Sequence, residues 1–200
     1  MSDSREARRA FFDGLAATWD TVGPSPTATL ARLTALRPLI PLKAGDALLE
    51  VGCGTGAVTG WLGDPVRPGR VTAVDFAPAM IAVARARGLA ADFECCDVLT
   101  DDLGVERYDV IFCMHVVPHL PDLPAALARF ARALRPGGRL IVLHLDHWER
   151  INRFHDSLGP PVAGDHLPPP NAWPGLLRAA GLALGMLEDR TDLFLLTARR

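Results

Sequence analysis

An acid followed by three alternating glycines carries the first chemistry in this chain. Leu48-Leu49-Glu50-Val51-Gly52-Cys53-Gly54-Thr55-Gly56 is an apolar run that ends in that acid and those glycines. The pattern predicts a buried strand turning tightly into a helix. Glycine at the turn lets the backbone reach positive φ cheaply and approach a ligand closely. The amides at the helix start would face that ligand. Two further acids, Asp75 and Asp97, each follow a later apolar run. These are the parts of a nucleotide-cofactor site. Gly52, Gly54 and Ala57 also satisfy the dinucleotide pattern, with Asp75 about 20 residues beyond, where an NAD ribose acid would stand. The loop alone therefore leaves the nucleotide open.

The histidines carry the second chemistry. His115 directly follows the apolar run Tyr108–Met114, His119 lies four residues on, and His144 and His147 flank Asp146. Imidazole titrates near neutral pH, so these are candidate bases. Period two puts His144 and Asp146 on one face of a strand, where a His–Asp pair would form an oriented base. A polar cap on the strand end is the other reading of that pair. His119 reads as a structural residue bonded to backbone in its loop. His144, His155 and His166 have no compact metal-ligand spacing, so no metal is expected. Cys53, Cys95, Cys96 and Cys113 show no CxxC spacing and read as buried thiols.

The elements that must hold these residues alternate in type. Ala7–Trp19 and Thr27–Leu36 have helical patterns, the second ended by Pro38 and Pro41. Strands are predicted at Asp46–Val51, Arg70–Asp75, Ala91–Cys96, Tyr108–Met114 and Arg139–Leu145. Helices are predicted between them at Ala57–Leu62, Pro78–Arg87 and Leu123–Leu134. The strands are short and apolar on both faces, as central parallel strands are. This alternation predicts an α/β fold with a doubly wound, Rossmann-like sheet. Ala172–Ala180 reads as a further helix. Leu184–Glu188 and Leu193–Ala198 are separated only by Asp189–Asp192 and must form an antiparallel hairpin. Between lies Asp146–Asn171, with Pro160, Pro161, Pro168, Pro169 and Pro170 and three histidines. A stretch that long is a lid, or it holds a short helix, for which Asn152–Leu158 is the candidate. One domain over 1–200 is expected, with cap helices in 1–40 and a substrate lid in 146–171.

Five segments sharpen this reading when taken together. They are Glu50-Val51-Gly52-Cys53-Gly54-Thr55-Gly56, Val74-Asp75-Phe76-Ala77-Pro78-Ala79-Met80, Cys96-Asp97-Val98, Tyr108-Asp109-Val110-Ile111 with His119-Leu120-Pro121-Asp122, and Leu134-Arg135-Pro136-Gly137-Gly138. In order and spacing they resemble the motifs of class I S-adenosylmethionine-dependent methyltransferases of the small-molecule type. The resemblance runs from roughly Ala44 to the C-terminus. It implies a seven-stranded sheet with the last strand antiparallel, and S-adenosylmethionine across the C-terminal strand ends. It implies methyl transfer to a small-molecule acceptor by direct displacement.

Residue roles follow from the resemblance. Gly52, Cys53, Gly54 and Gly56 would let the backbone pass the methionyl part and sugar. Glu50 would balance the ammonium group, and Asp75 would take the ribose hydroxyls. Phe76 or Met80 would pack on the adenine face. Asp97 would accept the adenine amino group beside the Val98 amide. Cys113 and Met114 would border the sulfonium, with His115 close to the methyl group and His144 and Asp146 on the opposite wall. Phe11-Phe12-Asp13-Gly14-Leu15-Ala16-Ala17-Thr18-Trp19-Asp20 resembles the leading helix that covers the cofactor, with Phe12, Leu15 and Trp19 on one face. Cys113-Met114-His115 departs from the acid that metal-dependent catechol-type members need. The Asn/Asp-Pro-Pro-aromatic motif of nucleic-acid amino methylation is also missing there.

Composition narrows the partners. A net charge of −2 over 200 residues gives no electrostatic pull toward nucleic acid or an anionic membrane. No apolar run reaches the ~18 residues of a spanning helix. Ser2–Asp20 is charged and amphipathic, unlike a signal-peptide h-region, so a cytoplasmic location is expected. No separate acceptor domain is evident. The acceptor pocket would come from the leading helix, the loop His115–Pro121 and the lid, or be shared across a homodimer. Three other readings share the fold. An NAD-dependent oxidoreductase is opposed by Asp97 and the terminal hairpin. A non-catalytic scaffold is opposed by the intact acids and glycines. A non-methylating use of the same cofactor, such as a cyclisation, stays open.

Overall fold

Strands form where short apolar runs meet glycine or proline turns, and helices form where the apolar period lengthens. The computed structural model describes residues 2–200. In chain order the elements are α1 (Ser2–Leu15), α2 (Pro26–Ala35), β1 (Leu48–Val51), α3 (Thr59–Val66), β2 (Val71–Asp75), α4 (Pro78–Ala86) and β3 (Asp92–Cys95). They continue as β4 (Tyr108–Met114), α5 (Leu123–Ala133), β5 (Leu134–His144), α6 (Trp148–Asp156), α7 (Trp173–Ala179), β6 (Ala183–Arg190) and β7 (Leu193–Arg199). The seven-stranded sheet has the order β3-β2-β1-β4-β5-β7-β6. By contacts the chain divides into two compact units, one through Asp97 and the other Val98–Arg200. Among the described residues no helix is long and apolar enough to cross a membrane.

In the first unit β2 lies between β1 and β3, parallel to both. The register sets Val51 beside Val74 and Asp75 beside Cys95, so the three strand ends come together. All four residues of β1 are buried, including Glu50. Pro78 opens α4, where its fixed φ suits a helix start. Ser25 caps α2 by accepting from the Ala28 amide at 3.3 Å.

In the second unit β4 and β5 are parallel, while β7 is antiparallel to both β5 and β6. The expected α/β sheet with its last strand reversed is therefore present. The central strand β7 buries Leu193, Phe194, Leu195 and Leu196. Asp122 caps α5 through the Ala125 amide at 2.9 Å, and that helix turns Ala126, Leu127, Phe130 and Ala131 into the core.

Several boundaries differ from the sequence expectation for identifiable reasons. The first helix ends at Leu15 rather than Trp19, because the Thr18 amide and hydroxyl both bond the Leu15 carbonyl. Trp19 sits instead in a short 3-10 turn. Helix α3 starts at Thr59 and runs through Gly63 and Pro65 to Val66, because Leu62 and Val66 continue its buried face. Strand β5 begins at Leu134. Its pairing with β4 shifts between Tyr108 and Val110, where Pro136-Gly137-Gly138 supplies the extra residues.

The segment 146–171 is not one loop. Helix α6 begins at Trp148, ahead of the Asn152–Leu158 expected, because His147 caps it through the Glu149 amide. Asn152 then pins the following stretch. Its amide donates to the Leu167 carbonyl at 3.0 Å, and its carbonyl accepts from the Leu167 amide at 2.8 Å.

Trp173 is fully buried, packs on Phe194 at 5.8 Å between ring centroids and donates from Nε1 to the Pro168 carbonyl. Trp173→Ala is expected to lower unfolding free energy by about 3–5 kcal/mol in urea titration. A loss below about 1 kcal/mol would mean that the site collapses around the missing ring.

Candidate functional site

The glycine loop is held by a carboxylate on the neighbouring strand. The Gly54 amide donates to Asp75 Oδ2 and the Ala77 amide to Asp75 Oδ1, both at 2.9 Å. An ionised carboxylate offers about four lone-pair positions and can therefore tie two loops at once. Gly54 has φ of +53°, and a Cβ there would stand 3.4 Å from Trp19 Nε1. Gly56 serves another end. A Cβ on it would lie 3.1 Å from Ala84 Cβ and 3.3 Å from the Phe93 ring. Its missing side chain permits close packing of the loop on α4 and β3.

Glu50 is 2% exposed and accepts from the Thr59 hydroxyl at 2.6 Å. Burial raises its pKa to about 8, the Thr59 bond opposes that rise, and nearby Asp75 adds to it. Cys53 is buried beside Glu50 and Asp75, and burial first, then those charges, push its thiol far up. It is a packing group, not a thiolate. Met80 is 1% exposed and belongs to the core, whereas Phe76 is half-buried. Of the two residues expected at the adenine, Phe76 is thus the one with accessible ring surface.

The N-terminal segment reaches this site through contacts that the apolar spacing did not announce. Arg5 pairs with Asp97 at 2.6 Å. Asp13 accepts from the Ala79 amide at 2.8 Å, in the first turn of α4. Asp20 accepts from the Thr55 hydroxyl at 2.6 Å and pairs with Arg87. Phe12 meets Phe76 edge-on at 5.7 Å and Trp19 at 5.9 Å. The helix face expected to carry Phe12, Leu15 and Trp19 stops at Leu15, and Trp19 meets Phe12 from the turn that follows.

The second unit holds the remaining candidates. Cys113 is fully buried in β4, and burial raises its thiol far above the usual range. Met114 beside it is half-buried. Val98 is buried, and its carbonyl accepts from Arg129 Nε at 2.6 Å. His115 leaves β4 with φ of +55° and an exposed side chain, while its amide donates to the Leu143 carbonyl at 3.1 Å. A left-handed non-glycine costs of order 1–3 kcal/mol and marks a position fixed by its surroundings.

His144 and Asp146 do not pair. Strand β5 stops at His144 and the chain bends, so the period of two no longer carries Asp146 to the same face. Asp146 instead accepts from the His147 amide at 2.9 Å and meets Arg150 at 3.1 Å. His147 takes part in a cap. Its Nδ1 accepts from the Glu149 amide and its Nε2 lies 3.1 Å from Asp189. The His–Asp pair with buried geometry is a different one, His119 Nδ1 to Asp165 Oδ2 at 2.7 Å, with Asp165 5% exposed. Sequence spacing alone could not join residues 46 apart. Among the described residues no group of three or more His, Cys, Asp or Glu is arranged to hold a metal.

The profile of a family described as methyltransferase domain matches residues 49–142. A ubiquinone biosynthesis O-methyltransferase of Xylella fastidiosa is 37% identical over 152 residues, which cover 70% of this chain and 60% of that protein. The chain thus spans about 60% of the length of that relative. An S-adenosylmethionine-dependent methyltransferase structure from Mesorhizobium loti shares the fold with a TM-score of 0.67 at 20% identity, covering 85% of this chain and 98% of that one. The cyclase SpnF does so with a TM-score of 0.74 at 20% identity, covering 96% and 94%. Residues 49–142 thus match the methyltransferase domain family, and the chain shares its fold with methyltransferase structures.

Proposed function

We propose that this chain transfers a methyl group from S-adenosylmethionine to a small-molecule acceptor. The observation that carries the reading is the set of acids around the glycine loop: buried Glu50, loop-bonded Asp75 and Asp97. The donor set fits the cofactor. Asp75, already aimed at the loop amides, would take the ribose hydroxyls, and Asp97 would share its oxygens between Arg5 and the adenine amino group. Phe76 would offer its free ring surface to the adenine. Gly52 and Gly54 keep the loop backbone open, and Cys53 packs beneath it. Val98, Cys113 and Met114 would complete the site. When bound, the cofactor supplies an activated methyl group on a cationic sulfur.

The protein's part is to align the acceptor and exclude water. His115 at the exit of β4 is proposed to orient the acceptor. His144 is proposed to face it rather than to form a base with Asp146. We read the chain as a cytoplasmic protein of small-molecule metabolism, with segment 146–171 bordering the acceptor or the acceptor pocket shared across a homodimer.

Calorimetric titration in parallel with S-adenosylmethionine, S-adenosylhomocysteine and NAD tests the reading. Binding of the first two without NAD is expected, and binding of NAD alone would overturn it. Asp75→Ala should weaken S-adenosylmethionine binding by about 1.5–3 kcal/mol, the range for lost charged hydrogen bonds. Unchanged affinity would remove Asp75 from the ribose.

Glu50 makes binding pH-dependent. With its pKa raised to about 8, it holds a proton in the free protein at neutral pH. An arriving ammonium favours the ionised form, so binding expels that proton. Affinity should therefore climb from about pH 5.5 to about pH 7, approaching tenfold per unit. In Glu50→Gln the slope should vanish. Equal slopes in the two proteins would show that Glu50 does not meet the ammonium.

A further inference from the structure

Thr55 lies between Gly54 and Gly56 in the glycine loop and is 2% exposed. Its hydroxyl donates to Asp20 Oδ1 at 2.6 Å and accepts from an Arg87 terminal nitrogen at 3.4 Å. Its carbonyl accepts from Arg87 Nε at 2.6 Å, and the same guanidinium pairs with Asp20. Arg87 caps the C-terminal end of α4, where partial negative charge favours a cation. Asp20 belongs to the short 3-10 turn after α1. Trp19, beside it in that turn, stands against the same loop, with Nε1 3.4 Å from where a Gly54 Cβ would lie.

Glycine neighbours give this loop more backbone freedom than other residues would, so its shape depends on what ties it down. Asp75 ties Gly54 from the neighbouring strand. Asp20 and Arg87 tie the next residue, and Asp20 stands 35 residues earlier in the chain. The shape of the loop is therefore conditional on the docking of the segment that carries Asp20. We infer that Asp20, Thr55 and Arg87 form a clamp through which the N-terminal segment sets the glycine loop for its cofactor. Asp20 and Arg87 are the positioning residues of that clamp. This rests on the S-adenosylmethionine reading above.

The clamp needs these residue types. Arginine presents its donors in a rigid planar fork, so one guanidinium reaches the Thr55 carbonyl and the Asp20 carboxylate together. Threonine supplies a hydroxyl that donates to the carboxylate while accepting from the guanidinium. The Asp20–Arg87 pair is partly exposed, so the bonds to buried Thr55 carry more of the effect than the charges do. Coupling between two sites is reciprocal. If the docked segment favours the set loop, a ligand that takes the set loop must favour the docked segment. A loop that is set for only part of the time weakens the apparent affinity by that fraction.

The test titrates the full chain with S-adenosylhomocysteine by calorimetry and follows amide hydrogen exchange over residues 16–22. Thr55→Val, which keeps the shape and loses the hydroxyl, should bind about tenfold more weakly, the scale of one hydrogen bond to a charged group. Thr55→Ser, which keeps the hydroxyl and loses a methyl, should bind nearly as well as the unsubstituted chain. A packing role for Thr55 would reverse that order. Asp20→Ala should weaken binding by a similar factor, and the double variant with Thr55→Val should fall little further than either alone, as members of one network do. In the unsubstituted chain the ligand should slow exchange over 16–22, a measurement that needs no variant to fold, and it should do so much less in Thr55→Val. The inference is overturned if Thr55→Val binds as well as the unsubstituted chain, if Thr55→Ser loses as much as Thr55→Val, if the two losses multiply, or if exchange over 16–22 ignores the bound ligand. Failure of S-adenosylhomocysteine to bind the unsubstituted chain at all would overturn the underlying cofactor reading instead.

Discussion

One carboxylate organises the first half of the molecule. Asp75 accepts from Gly54 on the loop after β1 and from Ala77 at the entrance to α4. Parallel strands cannot be joined by a tight hairpin, so their ends depend on side chains to fix the loops that leave them. Asp75 does this for two loops at once. The cost of holding the glycine loop in positive φ is met by bonds in which one partner is ionised, roughly twice as strong as neutral ones. Glu50 adds a second tie, through Thr59, from the strand to the helix that follows the loop. Any ligand at this loop meets a surface already shaped before it arrives.

Much of that arrangement was legible in the sequence. Glycines at alternate positions after an apolar run can hardly be a strand interior, and an acid closing each of the next two runs marks strand ends facing one edge. The alternation of periods gave the helices and strands between. Boundaries were harder, because they turn on single bonds. Thr18 ends α1 early, and His147 starts α6 before its apolar face begins. Local hydrogen bonding of that kind leaves no trace in hydrophobic periodicity.

The histidines show the limit most clearly. A period of two joined His144 to Asp146 on paper, but β5 ends between them and Asp146 turns to Arg150. The pair that does form, His119 with Asp165, spans α5, β5 and α6. His119 had been read as a backbone-bonding loop residue, and its partner lay in a segment with no periodic signal. The packing of Val162 and Leu167 into the core, with the Asn152–Leu167 hydrogen bonds, brings that segment, and Asp165 with it, to a fixed place. Likewise Ser2–Asp20 read only as a charged, amphipathic stretch, yet Arg5, Asp13 and Asp20 each have a specific partner in the first unit.

The N-terminal segment is fastened in two different ways along its length. Its ends are held by charge, Arg5 on Asp97 and Asp20 on Arg87, and both pairs are partly exposed. Its middle is held by Phe12, buried against aromatic neighbours. Dissolved ions screen the first kind of contact and strengthen the second. Concentrated salt therefore loosens the segment at both ends while holding its centre, and Asp97 is uncovered as the electrolyte rises.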